Sequence, residues 1–469
     1  MKLWNEWLQA VHVLRPACRR SLTFVWMTLA LMGLCCRSDN AGITSFVRVL
    51  NFSGKAYHRF LHFFHSRALD LDVLTSCWVR LCLVLFRPFE VGSHLVCIAD
   101  GIKAPKEGKR MPGVKLLHQQ SASNTKPEYI MGHSLQAISL LVHSGGGQVA
   151  AVPLCSRIHE GLVFSNRDSR TLLDKLVALL FSMARAWERK VLLVADAYYA
   201  SGKVILPLLA NGHHLLTRAK SNAVAYMPVP ETARRGRGRP KTYGEKVRLA
   251  DLAKDNAACT SAPSPVYGEN NVIVRYRALD MMWRPVGRIV RFVIVHHPVR
   301  GTIFLLSTDT SLKPLEILQL YGYRFKIELG FRQGVHVIGA YAYHFWMADM
   351  KLVRRGSGDQ YLHRTSDTYR DGVRRKLQAY HLHVQLGCIA QGLLLHLAIN
   401  HTAEVWRSFR SWLRTMNPAM PPSELVVASA LRSTIKLFFA VPAIAPDLTK
   451  IMNKYYRHDL SSDLDRIAA

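Results

Sequence analysis

Acidic residues are scarce in this sequence. Against 62 lysines and arginines stand 32 aspartates and glutamates, a formal charge of +30 over 469 residues. The excess is spread along the chain and is not confined to one tail. A folded protein this basic most often meets a polyanion, and nucleic acid is the expected partner. Paired cysteine motifs are missing too. The nine cysteines, at 18, 35, 36, 77, 82, 97, 155, 259 and 388, are odd in number and form no CxxC. That argues against a disulfide framework and a zinc ribbon, and favours a reducing cytosol. The HExxH pattern of a zinc protease is absent, as are internal repeats and long low-complexity tracts. Apolar runs of membrane-spanning length are also wanting. Leu22–Cys36 is shorter than the roughly 20 residues a spanning helix needs. It follows a long basic lead without a small-x-small cleavage site, so it reads as a buried helix and not a signal peptide. Val384–Ile399 carries Gln385, Gln391 and His396 and reads as a core helix; no membrane partner is expected.

What is present is a large apolar complement, 49% of residues, which excludes a chain disordered as a whole. The length suits two to four domains. Residues 1–90 read as mostly helical. Within them "HRFLHFFH" puts His58, His62 and His65 on one helix face with no acid among them, a packing or DNA-facing stripe before a metal site. From 93 the pattern changes. "SHLVCIAD" is an apolar run ending at Asp100, followed by the basic loop "GIKAPKEGKRMPGVK". "SLQAISLLVH" and "GQVAAVPL" read as strands about a triple-glycine turn. Residues 169–189 have helical periodicity, "KVLLVAD" is a second apolar strand ending at Asp196, and "GHHLLTR" a further strand. Val229–Lys246 is a basic loop rich in Gly and Pro. Strands alternate over 271–307, a helix starts at Pro314, and a second basic loop, Arg354–Arg375, precedes long C-terminal helices.

The scarcity of acids gives weight to three of them. Uninterrupted apolar strands suggest a sheet covered on both faces, and the helix at 169–189 would return the chain to a parallel neighbour. Asp100 and Asp196 would then meet at the carboxyl ends of adjacent strands, where α/β sheets bind ligands. Two acids so close repel unless a cation or shared proton intervenes. Hard divalent ions such as Mg²⁺ prefer oxygen ligands, and two of them can activate one oxygen of a phosphodiester and stabilise the other. Glu328 is the candidate third acid. In "LQLYGYRFKIELGFRQ" it shares a helix face with Tyr321 and Arg324, a pair suited to holding phosphate. An ordinary Arg324–Glu328 helix ion pair would look the same, and strand-end aspartates also occur in nucleotide-binding and phosphoacceptor folds.

Asp100, Asp196 and Glu328, in this order, resemble the DDE triad of bacterial insertion-sequence transposases. "YGYRFKIE" resembles the Y-x2-R-x3-E-x6-K signature of one group of them; Tyr321, Arg324 and Glu328 match by spacing, and Val335 stands where the lysine would be. The resemblance covers about residues 90–400. It implies an α/β fold: an RNase H-like core with a mixed sheet flanked by helices, a mostly β insertion before the last acid, and helical N- and C-terminal regions. The expected parts are a DNA-binding region over 1–90, core over 91–221, β-rich insertion over 222–310, core again over 311–400, and C-terminal helices over 401–469.

By resemblance, the chain binds the terminal inverted repeats of its own element, cleaves DNA and joins the 3′-OH end to target DNA. Asp100, Asp196 and Glu328 would hold two Mg²⁺ ions, or Mn²⁺ in their place, while Tyr321 and Arg324 position phosphate. The partners implied are double-stranded DNA and a second copy of the chain, in a bacterial cytoplasm at the nucleoid. "RRGRGRPK" (Arg234, Arg235, Arg237, Arg239 and Lys241) contains the Arg-Gly-Arg-Pro core of an AT-hook, which lies in the narrow minor groove of A·T-rich DNA; a solvated basic loop is the other reading. Two rival functions stay open: an RNase H-like nuclease that cuts without joining, and a catalytically inactive DNA-binding protein derived from a transposase.

Overall fold

The computed structural model describes residues 1–40, 42–119, 127–229, 241–255, 257–439 and 446–457. The chain divides into two compact units. One comprises Pro88–Asp100 and Arg170–Glu328; the other comprises Met1–Arg87, Gly101–Ser169 and Leu329–Ala469. Asp100, Asp196, Tyr321, Arg324 and Glu328 all fall in the first.

The two uninterrupted apolar runs form the spine of that unit. His94–Pro105 and Lys190–Val194 pair in parallel, His94 opposite Lys190 through Ile98 opposite Val194. Residues 95–99 and 191–195 are buried on both sheet faces, which is why neither run shows the alternation of a half-exposed strand. His214–Arg218 adds a third parallel strand beside Lys190–Val194. Beyond it the sheet turns antiparallel, in the order Gly301–Ser307, Arg288–His297, Ile273–Trp283, Val224–Tyr226 and Lys246–Arg248. These include the alternating strands expected over 271–307.

The helix Leu172–Trp187 leads into the second parallel strand. It starts at Thr171, whose side chain accepts from the Asp174 N–H while Asp174 accepts from the Thr171 N–H at 2.7 Å, a reciprocal cap. It ends where Glu188 takes a left-handed backbone (φ +56°). Leu176, Val177, Leu180, Met183, Ala184 and Trp187 make its buried face. Thr171→Ala should therefore cost about 1 kcal/mol of stability, read as a lower urea midpoint at unchanged slope; an unchanged midpoint would show that the cap does not matter.

Two sequence expectations need correction. The strand expected to end at Asp100 runs on to Pro105. Residues 101–105 belong to the other unit, where they lie beside Tyr129–Gly145, so closely that a Cβ on Gly132 would come within 2.4 Å of the Ala104 carbonyl oxygen. The helix read as continuous from Leu318 to Gln333 is two, Pro314–Tyr323 and Phe325–Gln333. Arg324 N–H bonds the Tyr321 carbonyl and Ile327 N–H the Arg324 carbonyl, both three residues back. This tightened turn changes the helical phase at Arg324.

The other unit carries the antiparallel strands Tyr129–Gly145 and Gln148–Ile158, joined through Gly145, Gly146 and Gly147, all with positive φ. Its helices include Lys2–His12, Ser21–Cys36, Lys55–Phe64, Leu71–Leu85 and Glu424–Phe439, around the long helix Asp367–Asn400. That last helix is long and apolar enough to cross a membrane, and 89% of its apolar window is buried inside the fold. Ser21–Cys36 is likewise mostly buried. None of the nine cysteines is joined in a disulfide.

Candidate active site

The register of the parallel strands decides what meets at their carboxyl ends. Continued two residues past Ile98 and Val194, it sets Asp100 abreast of Asp196. The register of the next pair, continued likewise, sets Asp196 abreast of Arg218. The second alignment holds beyond its ladder: Ala195 N–H donates to the Leu216 carbonyl at 3.0 Å and Thr217 Oγ1 to the Asp196 carbonyl at 2.6 Å. The Asp196 carboxylate caps the short turn Ala197–Tyr199, accepting from the Tyr198 N–H at 2.9 Å.

Adjacent strands lie ~4.8 Å apart. Like charges on neighbouring strands disfavour one another, and a cation beside them offsets this; Arg324 supplies one. Its Nη1 donates to Asp100 Oδ2 at 2.7 Å and its Nη2 to Glu328 Oε1 at 2.9 Å. Arg324 and Asp100 are each 21% exposed, Glu328 44%. Burial alone would lower the Arg324 pKa, but Asp100, then Tyr321, Glu328 and Asp196, outweigh it and hold the guanidinium above its ordinary value. Burial holds the Tyr321 hydroxyl above its usual range, although the nearby charges of Arg324 and Arg218 pull against it. The tightened turn thus places one guanidinium among three acids and a phenol.

The other four catalytic candidates from the sequence, Asp100, Asp196, Tyr321 and Glu328, all lie close to Arg324. The acids do not form a closed cation cage as they stand: among the described residues no group of three or more His, Cys, Asp or Glu is placed to hold a metal ion. The donor chemistry nevertheless suits a hard divalent ion, being carboxylate oxygen throughout, provided Arg324 gives up Asp100. Two cations not singled out by the sequence pattern, Arg218 and Lys326, also fall in this unit. Arg218 ends the third parallel strand as Asp100 and Asp196 mark the first two, a signal legible in "GHHLLTR" once that strand is counted. Lys326 lies 4.8 Å from the ring centre of Tyr267, and burial lowers its pKa. Of the AT-hook-like residues, Arg234, Arg235, Arg237 and Arg239 lie outside the described residues; Lys241 is exposed.

The architecture is mixed α/β, a largely antiparallel sheet flanked by helices, compatible with an RNase H-like core. A family model described as DDE superfamily endonuclease matches residues 14–278, more than half of the chain, and the chain belongs to that family. The matched stretch contains Asp100 and Asp196 and stops before Tyr321, Arg324 and Glu328. No curated protein matches the chain. Membership carries DNA as the substrate and the divalent-metal requirement general to such domains.

Proposed function

We propose that this protein is a DNA transposase. It binds the terminal inverted repeats of its element, cleaves the strands and joins the freed 3′-OH to target DNA, acting as a homodimer at the bacterial nucleoid. The observation that carries the reading is Arg324, joined to Asp100 and Glu328 beside Asp196 at the ends of the parallel strands.

Asp100, Asp196 and Glu328 would hold the divalent ions, Mg²⁺ or Mn²⁺. When bound, such ions supply an activated oxygen nucleophile and charge for the leaving oxygen. The chain's own part is positioning. Arg324, released from Asp100, presents a planar fork that matches two phosphate oxygens. Tyr321 steadies that fork through its hydroxyl, and Arg218 adds positive charge at the same strand ends. Held this way, the scissile phosphate is oriented before reaction.

Incubation with intact and nicked terminal-repeat DNA in Mg²⁺ tests the reading. Joined product supports it. Cut product alone means a nuclease that does not join. Retention without cutting means an inactive DNA-binding protein, the outcome that Val335 in the signature-lysine position would favour. The same DNA tests the basic loop. Changing Arg235, Arg237 and Arg239 to alanine should make the log–log salt dependence of binding shallower by about one to three units, because each phosphate contact contributes a slope of about −0.9. An unchanged slope would mean the loop stays off the DNA.

A further inference from the structure

Two segments, residues 107–116 and 343–360, are laced together in the unit outside the candidate site. One follows Asp100 in the chain, the other Glu328. Met347 N–H donates to the Arg110 carbonyl at 3.1 Å, Val353 N–H to Lys109 at 2.7 Å and Leu116 N–H to Ser357 at 2.8 Å. Arg110 returns a guanidinium bond to the Ala348 carbonyl. The Gln360 amide accepts from Gly113 N–H at 3.2 Å and donates to the Val114 carbonyl at 3.0 Å. Beneath them Met347, Met350, Leu362 and Val373 form a small apolar core, with Phe164, Val353 and Tyr369 packed against it.

This lacing fixes what faces outward. Along Tyr343–Met347 the side chains alternate: Tyr343, Phe345 and Met347 are buried, while His344 and Trp346 are exposed. Trp346 is 58% exposed. A lone exposed indole needs no explanation. This one is held in place by a packed core and a hydrogen-bonded neighbour loop, and it shares its loops with exposed Lys109, Arg110, Lys351, Arg354 and Arg355, against exposed Glu107 and Asp349 and the half-buried Asp359, which pairs with Lys115 at 2.8 Å. Cations to track a backbone and an aromatic face for a base are the elements of single-strand recognition, and a π-face accepts any base.

We propose that this surface binds an unpaired stretch of DNA strand, with phosphates on the five cations and one base stacked on Trp346. The proposal rests on the reading above only in taking DNA as the ligand.

The test is binding of labelled oligothymidine and of a blunt duplex of equal length to the full chain in a chelator, where no cleavage occurs. Trp346→Ala should weaken oligothymidine binding about 5- to 150-fold, the range set by removal of a stacking side chain, with duplex binding within about twofold. Trp346→Phe, which keeps a ring, should retain most of the affinity. Lys351→Ala with Arg354→Ala should make the single-strand salt slope shallower by about 1.4, at about 0.7 per phosphate contact, whereas Trp346→Ala should leave that slope unchanged. Equal loss on both DNAs, or no loss with Trp346→Ala, overturns the proposal. Trp346-dependent binding by a protein that never cleaves would sink the catalytic reading and leave this one standing; cleavage without Trp346 dependence would do the reverse.

Discussion

Arg324→Ala should lower strand cleavage by about 10²–10³-fold, the usual cost of removing one charged or polar donor aimed at a reacting oxyanion. The same change should tighten Mn²⁺ binding in the absence of DNA by about fivefold. The two effects run in opposite directions because Arg324 has two roles. Without ligand it is the counter-cation of Asp100, at 2.7 Å, and any ion arriving there must displace it. The pair is partly buried and worth about 1 kcal/mol, equivalent to about fivefold in affinity. With DNA bound, the freed guanidinium would hold phosphate on the proposed reading. Folding stability should fall by only about the worth of that pair. Arg324→Lys should restore little of the cleavage, since an ammonium is a point charge and not a bidentate fork. Electron paramagnetic resonance of Mn²⁺ titrations reads the first effect and gel assays the second. Wild-type cleavage in Arg324→Ala would return the residue to an ordinary helix ion pair.

The largest loss is expected from the acids. Asp100→Asn, Asp196→Asn and Glu328→Gln each remove one charged oxygen ligand while keeping side-chain shape. A divalent ion contributes several kcal/mol to a phosphoryl transition state, and each 1.36 kcal/mol is tenfold in rate, so losses of about 10³-fold or more should follow. DNA retention should persist or tighten, because each change removes a negative charge from a chain of +30. The three losses should not multiply when combined, since residues acting as one unit fail together.

Asp100 and Asp196 were legible because burial on both faces writes an uninterrupted apolar run, and the acid that closes such a run stands out. That the two come abreast was legible only as adjacency; the register that aligns them, and adds Arg218 to the row, belongs to the folded sheet. Tyr321, Arg324 and Glu328 were legible by spacing, but for a straight helix. The turn that breaks it at Arg324 has no proline to announce it. The bond from Arg324 to Asp100 joins residues 224 apart in sequence, which no local pattern encodes. The same holds for the laced segments: the basic composition of 101–115 shows in the sequence, but the backbone bonds that knit Lys109 and Arg110 to residues near 350 do not.

The most direct test is single-turnover cleavage of a labelled terminal-repeat duplex in Mg²⁺ by the wild type and the three single acid variants, with DNA retention measured on the same samples. The account predicts cleavage by the wild type alone, with retention by all four proteins. Near wild-type cleavage by any one variant that still holds DNA would contradict it, and would remove that acid from the catalytic centre.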